Sequence, residues 1–149
     1  MIDIKIVFAI LIIHWFADFV LQTDKQAKGK SKNWSDLLSH TFNYTMVWIG
    51  VGALISCPYF DGKYEFIKAG YVMVFGVITF VAHTITDYFT SRLNSKLAPE
   101  RQYLLSHPHL SNYFIFKNEN WHNFFVSIGF DQILHYVQLF TTYYFLSTL

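Results

Sequence analysis

The chain has 149 residues, of which 53% are hydrophobic and 20% aromatic, while only 14% are charged. Soluble domains usually carry roughly 25% charged residues, so this composition favours an integral membrane protein. The formal net charge of +1 excludes a strongly basic nucleic-acid binder. The single cysteine, Cys57, excludes an internal disulfide bond and a cysteine-based zinc site.

Four apolar segments are each long enough to cross a membrane as a helix, since about 20 residues at about 1.5 Å per residue span a hydrocarbon core. The predicted spans cover residues 4–22, 35–57, 65–91 and 121–147, and residues 1–149 form one domain, an all-α bundle of four transmembrane helices. The first span is predicted to be retained rather than cleaved, because His14 and Asp18 interrupt it and no small-residue cleavage site follows.

The segments between the predicted spans carry helix-end and turn signals. The second span is expected to begin with Ser35 as its cap and Asp36 in its first turn. The stretch 57–63 contains a proline and an Asp-Gly pair, which are turn residues. Two prolines within 92–120 exclude one continuous helix there. Both 23–34 and 92–120 are therefore predicted to be loops.

The distribution of lysine and arginine predicts how the bundle is oriented. The loops 23–34 and 92–120 together carry eight of these residues, whereas the opposite side carries three. By the positive-inside rule both loops are cytoplasmic and both termini lie outside. The same rule explains the lysine run at 25–32, which would also lie near anionic lipid headgroups.

Three of the predicted spans carry a histidine and an aspartate four residues apart, and the remaining span carries a histidine. These residues are His14 with Asp18, His83 with Asp87, Asp131 with His135, and His40. Residues four apart share one face of a helix, and an ionisable residue inside a membrane is a functional-site candidate. On the predicted topology all seven fall near the midplane or toward the cytoplasmic leaflet, which favours one shared site.

The seven side chains predict a site for one or two divalent metal ions. Imidazole with carboxylate suits zinc, manganese or iron, and helix bundles build such centres from facing helices. Because seven ligands exceed the four of a structural zinc site, the surplus either orients the histidines or holds a second metal. Gln22, Asn43 and Gln132 are candidates to contact these ligands or a substrate. A two-metal site would suit a hydrolase of a phosphate-containing or lipid substrate, although no catalytic residue is assigned.

Two other functions stay open at this stage. Chains of aspartate and histidine in bundles also mark pathways for protons or metal ions, and four spans are few for a monomeric carrier, so a transporter would favour a homo-oligomer. Alternatively, each pair is a structural hydrogen bond of about 1 kcal/mol or less in a non-catalytic membrane scaffold. The expected partner is the lipid bilayer, and no nucleic acid is expected.

The motif His-Trp-Phe-Ala-Asp-Phe-Val-Leu-Gln at residues 14–22 resembles the opening signature of the small bacterial and phage membrane proteins grouped as domain of unknown function 3307. The later elements agree in order, namely His40, the pair at 83–87 and the Phe-Asp-Gln-x-x-His motif at 130–135. The resemblance covers most of the chain. It implies a multi-pass protein of the bacterial inner (plasma) membrane, with both termini periplasmic by the charge bias, and it implies no particular reaction.

Overall fold

The computed structural model of the protein describes residues 3–55, 67–97 and 121–149. Within these ranges there are five α-helices and no β-strand. The helices are α1 (Ile4–Trp15), α2 (Asp24–Gly29), α3 (Trp34–Ile55), α4 (Val72–Leu97) and α5 (Trp121–Ser147). The predicted all-α class is confirmed. The predicted end of the second span at 57, the start of the third at 65 and most of the loop 92–120 lie outside the described residues.

The first predicted span is a helix that changes its winding. Helix α1 begins where the Asp3 side chain accepts a hydrogen bond from the Lys5 backbone N–H at 2.8 Å. It is followed by a π-helical turn over Phe16–Val20. A π turn holds one extra residue and is frequent at functional sites. Here it carries Asp18 into the bundle interior, where this side chain is 4% exposed.

Helix α3 is capped by Asn33, so the prediction of Ser35 as the cap is wrong. Asn33 Oδ1 accepts a hydrogen bond from the Asp36 N–H at 2.8 Å, and Asn33 Nδ2 donates one to Asp36 Oδ2 at 2.7 Å. The Asn33 side chain thus satisfies one of the free backbone N–H groups of the first turn. The helix begins at Trp34, and Ser35 lies inside it.

Helix α2 lies within the predicted loop 23–34. Thr23 and Gln26 form a capping box that starts the helix, and the Gln26 amide also donates to the Ser39 hydroxyl on α3 at 3.0 Å. A Cβ atom at Gly29 would overlap the Asp36 carboxylate. Glycine at this position therefore allows α2 to pack directly against the first turns of α3.

Helix α4 is the centre of the bundle and packs against both α3 and α5. It begins at Val72, after a 3₁₀ turn over Ala69–Tyr71, and continues to Leu97. A Cβ atom at Gly76 would lie 2.6 Å from the Ile49 side chain, so glycine permits the close approach of α3 and α4. The described part of the predicted third span is thus α-helical only from Val72 onward.

The interior of the bundle is more polar than its surface. Among the described residues, sixteen buried side chains are polar or charged and eleven are hydrophobic, while twenty-nine large hydrophobic side chains are exposed. Soluble proteins bury most of their large aliphatic residues and almost never bury unpaired charges. Many large apolar side chains therefore face outward along these helices, while four histidines and four aspartates face inward.

In the described part of the chain, α4 is the one helix that is both long and apolar enough to cross a membrane. A core helix of a soluble protein can have the same length and composition, so this helix alone does not establish four spans. Helix α1 has 12 residues before the π turn. Helices α3 and α5, with 22 and 27 residues, are long enough, but no single stretch of either is apolar enough. The four-span arrangement is therefore a proposal.

Candidate metal centre

The seven histidines and aspartates singled out by the sequence are all buried in the bundle. Within each helical pair the two side chains approach each other as the four-residue spacing predicts. The nitrogen–oxygen separations are 3.8 Å for His14–Asp18, 3.5 Å for His83–Asp87 and 3.3 Å for Asp131–His135. Interior-facing pairs from three separate segments therefore meet in one region.

Four ligand atoms converge at the centre of this region, and we name their residues the central quartet: Asp18, His40, His83 and Asp87. His40 Nε2 lies 3.0 Å from Asp18 Oδ1, 3.2 Å from Asp87 Oδ2 and 3.2 Å from His83 Nε2. His83 Nε2 lies 3.7 Å from Asp18 Oδ1 and 3.5 Å from Asp87 Oδ2. Tetrahedral ligands of zinc, each at 2.0–2.1 Å, would lie roughly 3.3 Å apart. Five of the six separations in the quartet are therefore close to those that one ion requires, while the described groups in which all ligand atoms lie within 4.8 Å of one another contain at most three of these four residues.

A second group beside the quartet could also hold a metal ion. It consists of His83, Asp87 and His135, all buried, with His135 Nε2 3.5 Å from Asp87 Oδ1. The first such group among the described residues consists of three quartet members, Asp18, His40 and His83. Both groups use His83. Two ions could therefore be bound at once only if each took a different nitrogen of the His83 ring or if both shared the Asp87 carboxylate. The buried side chains thus offer two adjoining ion positions.

Aromatic rings fix the orientation of the shared histidine. The Tyr44 ring stacks on the His83 ring at 3.9 Å between centroids, and the His135 ring stacks on it at 4.2 Å. With a ring on each side, the His83 imidazole has little freedom to turn. Preorganised ligands of this kind reduce the entropy lost when an ion binds.

His14 and Asp131 lie beside the two ion-binding groups. The Tyr44 hydroxyl donates a hydrogen bond to His14 Nδ1 at 2.7 Å, and His14 Nε2 donates to Gln132 Oε1 at 2.8 Å. His14 would have to give up one of these bonds to coordinate a metal. The Asp131 carboxylate contacts His135 and accepts a hydrogen bond from the Gln132 amide at 3.2 Å. It is placed to orient His135, as carboxylates next to metal-binding histidines do.

Of the three predicted supporting residues, two contact the cluster. The Gln22 amide donates to His40 Nδ1 at 3.2 Å, and the Gln132 amide lies between Asp18 and Asp131, with Nε2 3.4 Å from Asp18 Oδ2. Asn43 is exposed on α3.

Lys30 is a member of the site that the sequence interpretation missed. Its ammonium group lies 3.0 Å from Asp87 Oδ2, and its side chain is 14% exposed. Burial acts to lower the pKa of Lys30, but the Asp87 and Asp18 carboxylates outweigh burial, so this pKa lies above its ordinary value. Lys30 is therefore a cation. The Thr-x-x-Gln capping box that starts α2 was the available signal, because it indicates an ordered helix in the lysine run.

Tyr44 was also missed, although it lies one helical turn after His40 and so shares its face. It is 1% exposed and contacts two histidines of the cluster through its hydroxyl and its ring. The spacing of four residues from His40 was the signal that could have found it.

The family model described as "Protein of unknown function (DUF3307)" matches residues 6–149, which include the whole cluster. The chain belongs to the DUF3307 family. The resemblance seen in the motif at residues 14–22 is thereby confirmed. No curated protein and no solved structure matches the chain. Within DUF3307, the buried groups of this member are spaced so that they could hold a metal ion.

Proposed function

We propose that this DUF3307 protein is an integral membrane protein of four spans that binds a divalent metal ion at the central quartet and hydrolyses a phosphate-containing or lipid substrate. One observation carries the proposal. Four buried nitrogen and oxygen atoms, of Asp18, His40, His83 and Asp87, have five of their six separations between 3.0 and 3.7 Å. A tetrahedral zinc ion would need roughly 3.3 Å between its ligands.

The distribution of polar and apolar side chains supports the membrane part of the proposal. Exposed side chains such as Phe89, Ile133 and Val137 are 66%, 58% and 57% accessible, while His83 and His135 of the same helices are 0% and 1% accessible. A lipid bilayer solvates such an apolar surface at less cost than water does. The 22 residues of α3 extend roughly 33 Å, enough to cross a hydrocarbon core. The spans would place both termini outside a bacterial inner membrane.

Charge balance supports the binding of a divalent cation. The three buried carboxylates of Asp18, Asp87 and Asp131 are accompanied by one buried ammonium group, that of Lys30. With neutral histidines the cluster has a formal charge of −2. Uncompensated charge is costly away from water. One divalent ion would neutralise it, and the two adjoining positions would allow a second ion only with a further anion.

The residues around the quartet support hydrolysis. A bound divalent ion would polarise a phosphoryl or carbonyl oxygen and activate water. His135 Nε2 stands 3.5 Å from the quartet oxygen Asp87 Oδ1 and 3.3 Å from Asp131 Oδ1. An imidazole beside two carboxylates in this way is suited to transfer a proton during hydrolysis. His135 is thus our candidate for the group that transfers this proton.

A chain of polar contacts favours one alternative, a proton or metal-ion transporter. The chain runs through Lys30, Asp87, His135, Asp131, Gln132, His14 and Tyr44, with successive separations of 3.0, 3.5, 3.3, 3.2, 2.8 and 2.7 Å. The two links through His135 are ion-pair contacts rather than hydrogen bonds, and chains of aspartate and histidine inside bundles mark proton pathways. Proton or metal flux in proteoliposomes that Asp87→Asn abolishes, without hydrolytic activity, would favour the transporter.

The deciding experiment is elemental analysis by mass spectrometry of detergent-purified protein. The wild type is compared with His83→Ala, which removes the ligand common to both groups, and with Asn43→Ala, an exposed control on α3. We expect about one zinc, manganese or iron ion per chain in the wild type and the control, and close to none in His83→Ala. A wild type without metal after supplementation would refute the metal site and leave a structural scaffold or a proton relay. Phosphoester and lipid substrates are then screened, with loss of turnover expected in His83→Ala.

A further inference from the structure

Lys30 enters the site from outside the proposed spans. Its side chain is 14% exposed, whereas the Lys25 and Lys28 side chains of the same segment are 84% and 55% exposed. Lys32 is exposed as well. One lysine of the run is thus turned inward, with its ammonium group 3.0 Å from Asp87 Oδ2. The remaining exposure of its side chain places Lys30 at the rim of the cluster.

The position of Lys30 is fixed by the local fold. It directly follows α2, and its backbone N–H donates to the Gln26 carbonyl at 2.9 Å. The Gln26 side chain in turn is bonded to Ser39 on α3, and Gly29 allows close contact with Asp36. The lysine therefore extends from a segment that is attached to the bundle at several points.

Metal binding would change the surroundings of this ammonium group. Asp87 Oδ2 is the atom that Lys30 contacts, and the same atom lies 3.2 Å from His40 Nε2 and 3.5 Å from His83 Nε2. An ion held by the quartet would take this oxygen as a ligand and bring two positive charges close to Lys30. Two cations at such a separation repel strongly where water is scarce. An anionic oxygen between them would be attracted by both.

We propose that Lys30 forms an anion subsite beside the metal position and binds an oxygen of a phosphate group, either on a lipid headgroup or on a soluble phosphate. Lysine binds phosphate as a point charge, and an anion at this place would face both the ammonium group and the ion. The proposed cytoplasmic location of α2 lies at the level of lipid headgroups. This subsite rests on the proposed metal function and gives its substrate a chemical class, an anionic phosphate compound.

The test compares three variants with the wild type in both metal-loaded and chelator-treated form. Lys30→Gln removes the charge, Lys30→Arg keeps it, and Lys28→Gln makes the same charge change at an exposed lysine that pairs only locally, with Asp24 at 2.8 Å. Each protein is assayed for bound metal by elemental analysis and for phosphate by equilibrium dialysis against radiolabelled inorganic phosphate. Short-chain phosphatidic acid and phosphatidylcholine are then tested as competitors of the bound phosphate.

We expect metal-loaded wild type, Lys28→Gln and Lys30→Arg to bind phosphate. Lys30→Gln should keep its metal and lose phosphate affinity by about tenfold or more, as expected for the loss of a charged hydrogen bond. Competition by phosphatidic acid but not by phosphatidylcholine would identify a lipid phosphate as the ligand. Failure of both lipids to compete would identify a soluble phosphate.

Two outcomes would overturn the subsite while leaving the metal site intact in the wild type. One is unchanged phosphate affinity in metal-loaded Lys30→Gln. The other is loss of metal from Lys30→Gln, which would mean that the lysine only holds Asp87 in place. A wild type that binds no metal refutes the proposed function, and the subsite then survives only if phosphate still binds and Lys30→Gln abolishes that binding.

Discussion

The same three helices build two different interiors. Toward one end, α3, α4 and α5 contribute Trp48, Phe75 and Leu146, which pack in an apolar core with the Trp48 and Phe75 rings 5.6 Å apart. Toward the other end they contribute His40, His83 and His135 to the ionisable cluster. Only the apolar end can gain stability from packing alone, and only the ionisable end can gain it from a bound cation. The comparison indicates that one half of the bundle stabilises the fold while the other half concentrates like charges.

The largest effect is expected in the apolar half. Phe75→Ala should destabilise the protein by about 3 kcal/mol, because it leaves a cavity next to Trp48. Metal stoichiometry should stay at the wild-type value, since Phe75 lies eight residues, or about 12 Å along α4, before His83. Thermal unfolding in detergent, followed alongside elemental analysis, measures both quantities. Metal loss in folded Phe75→Ala would show that the two halves are not separable.

The next effect concerns the ionisable half and requires no mutation. Adding the bound metal at about one hundred times its dissociation constant should stabilise the wild type by about 2.7 kcal/mol, because the ion binds the folded state only. His83→Ala should show no such stabilisation, whereas Phe75→Ala should show all of it. Melting curves with and without chelator give the comparison. Equal stabilisation of His83→Ala would place the metal elsewhere.

The smallest effect is expected at the edge of the ionisable half. Gln22→Ala should weaken metal affinity about tenfold, because the Gln22 amide is the partner of His40 Nδ1 at 3.2 Å and fixes that ring. Asn43→Ala, at an exposed amide on α3, is the matched control and should bind metal as the wild type does. Competition with a fluorescent chelator measures both. If the two variants behave alike, Gln22 does not support His40.

The sequence predicted the parts of this site that depend on local geometry. The His–Asp pairs follow from the four-residue spacing, and their common depth follows from the topology assumed for the spans. Asn43 and Tyr44 lie three and four residues after His40, and spacing favours both about equally. Tertiary packing buries Tyr44 and leaves Asn43 exposed, and no single-sequence pattern contains that information.

The missed features depend on contacts between distant segments. Lys30 reaches Asp87 because α2 packs on α3 through Gly29. This packing is not visible in the sequence, so Lys30 could not be distinguished in advance from the exposed lysines beside it. Asn33 and Ser35 are both good caps by residue type. Asn33 is the cap because its side chain accepts a hydrogen bond from the Asp36 N–H and donates one to the Asp36 carboxylate. Propensity alone therefore gave the right helix and the wrong first residue.

The π turn over Phe16–Val20 holds five residues in about the rotation that ordinary winding gives to four. Because the extra residue is taken up within the turn, the residues on either side keep the faces that an uninterrupted α-helix would give them. Deleting one residue from this turn would therefore restore ordinary winding and leave His14 close to Tyr44 and Gln132. Its effect would be confined to the turn itself, where the direction of the Asp18 side chain would change. The turn is thus a place where the chain can gain or lose a residue without turning the helix before it.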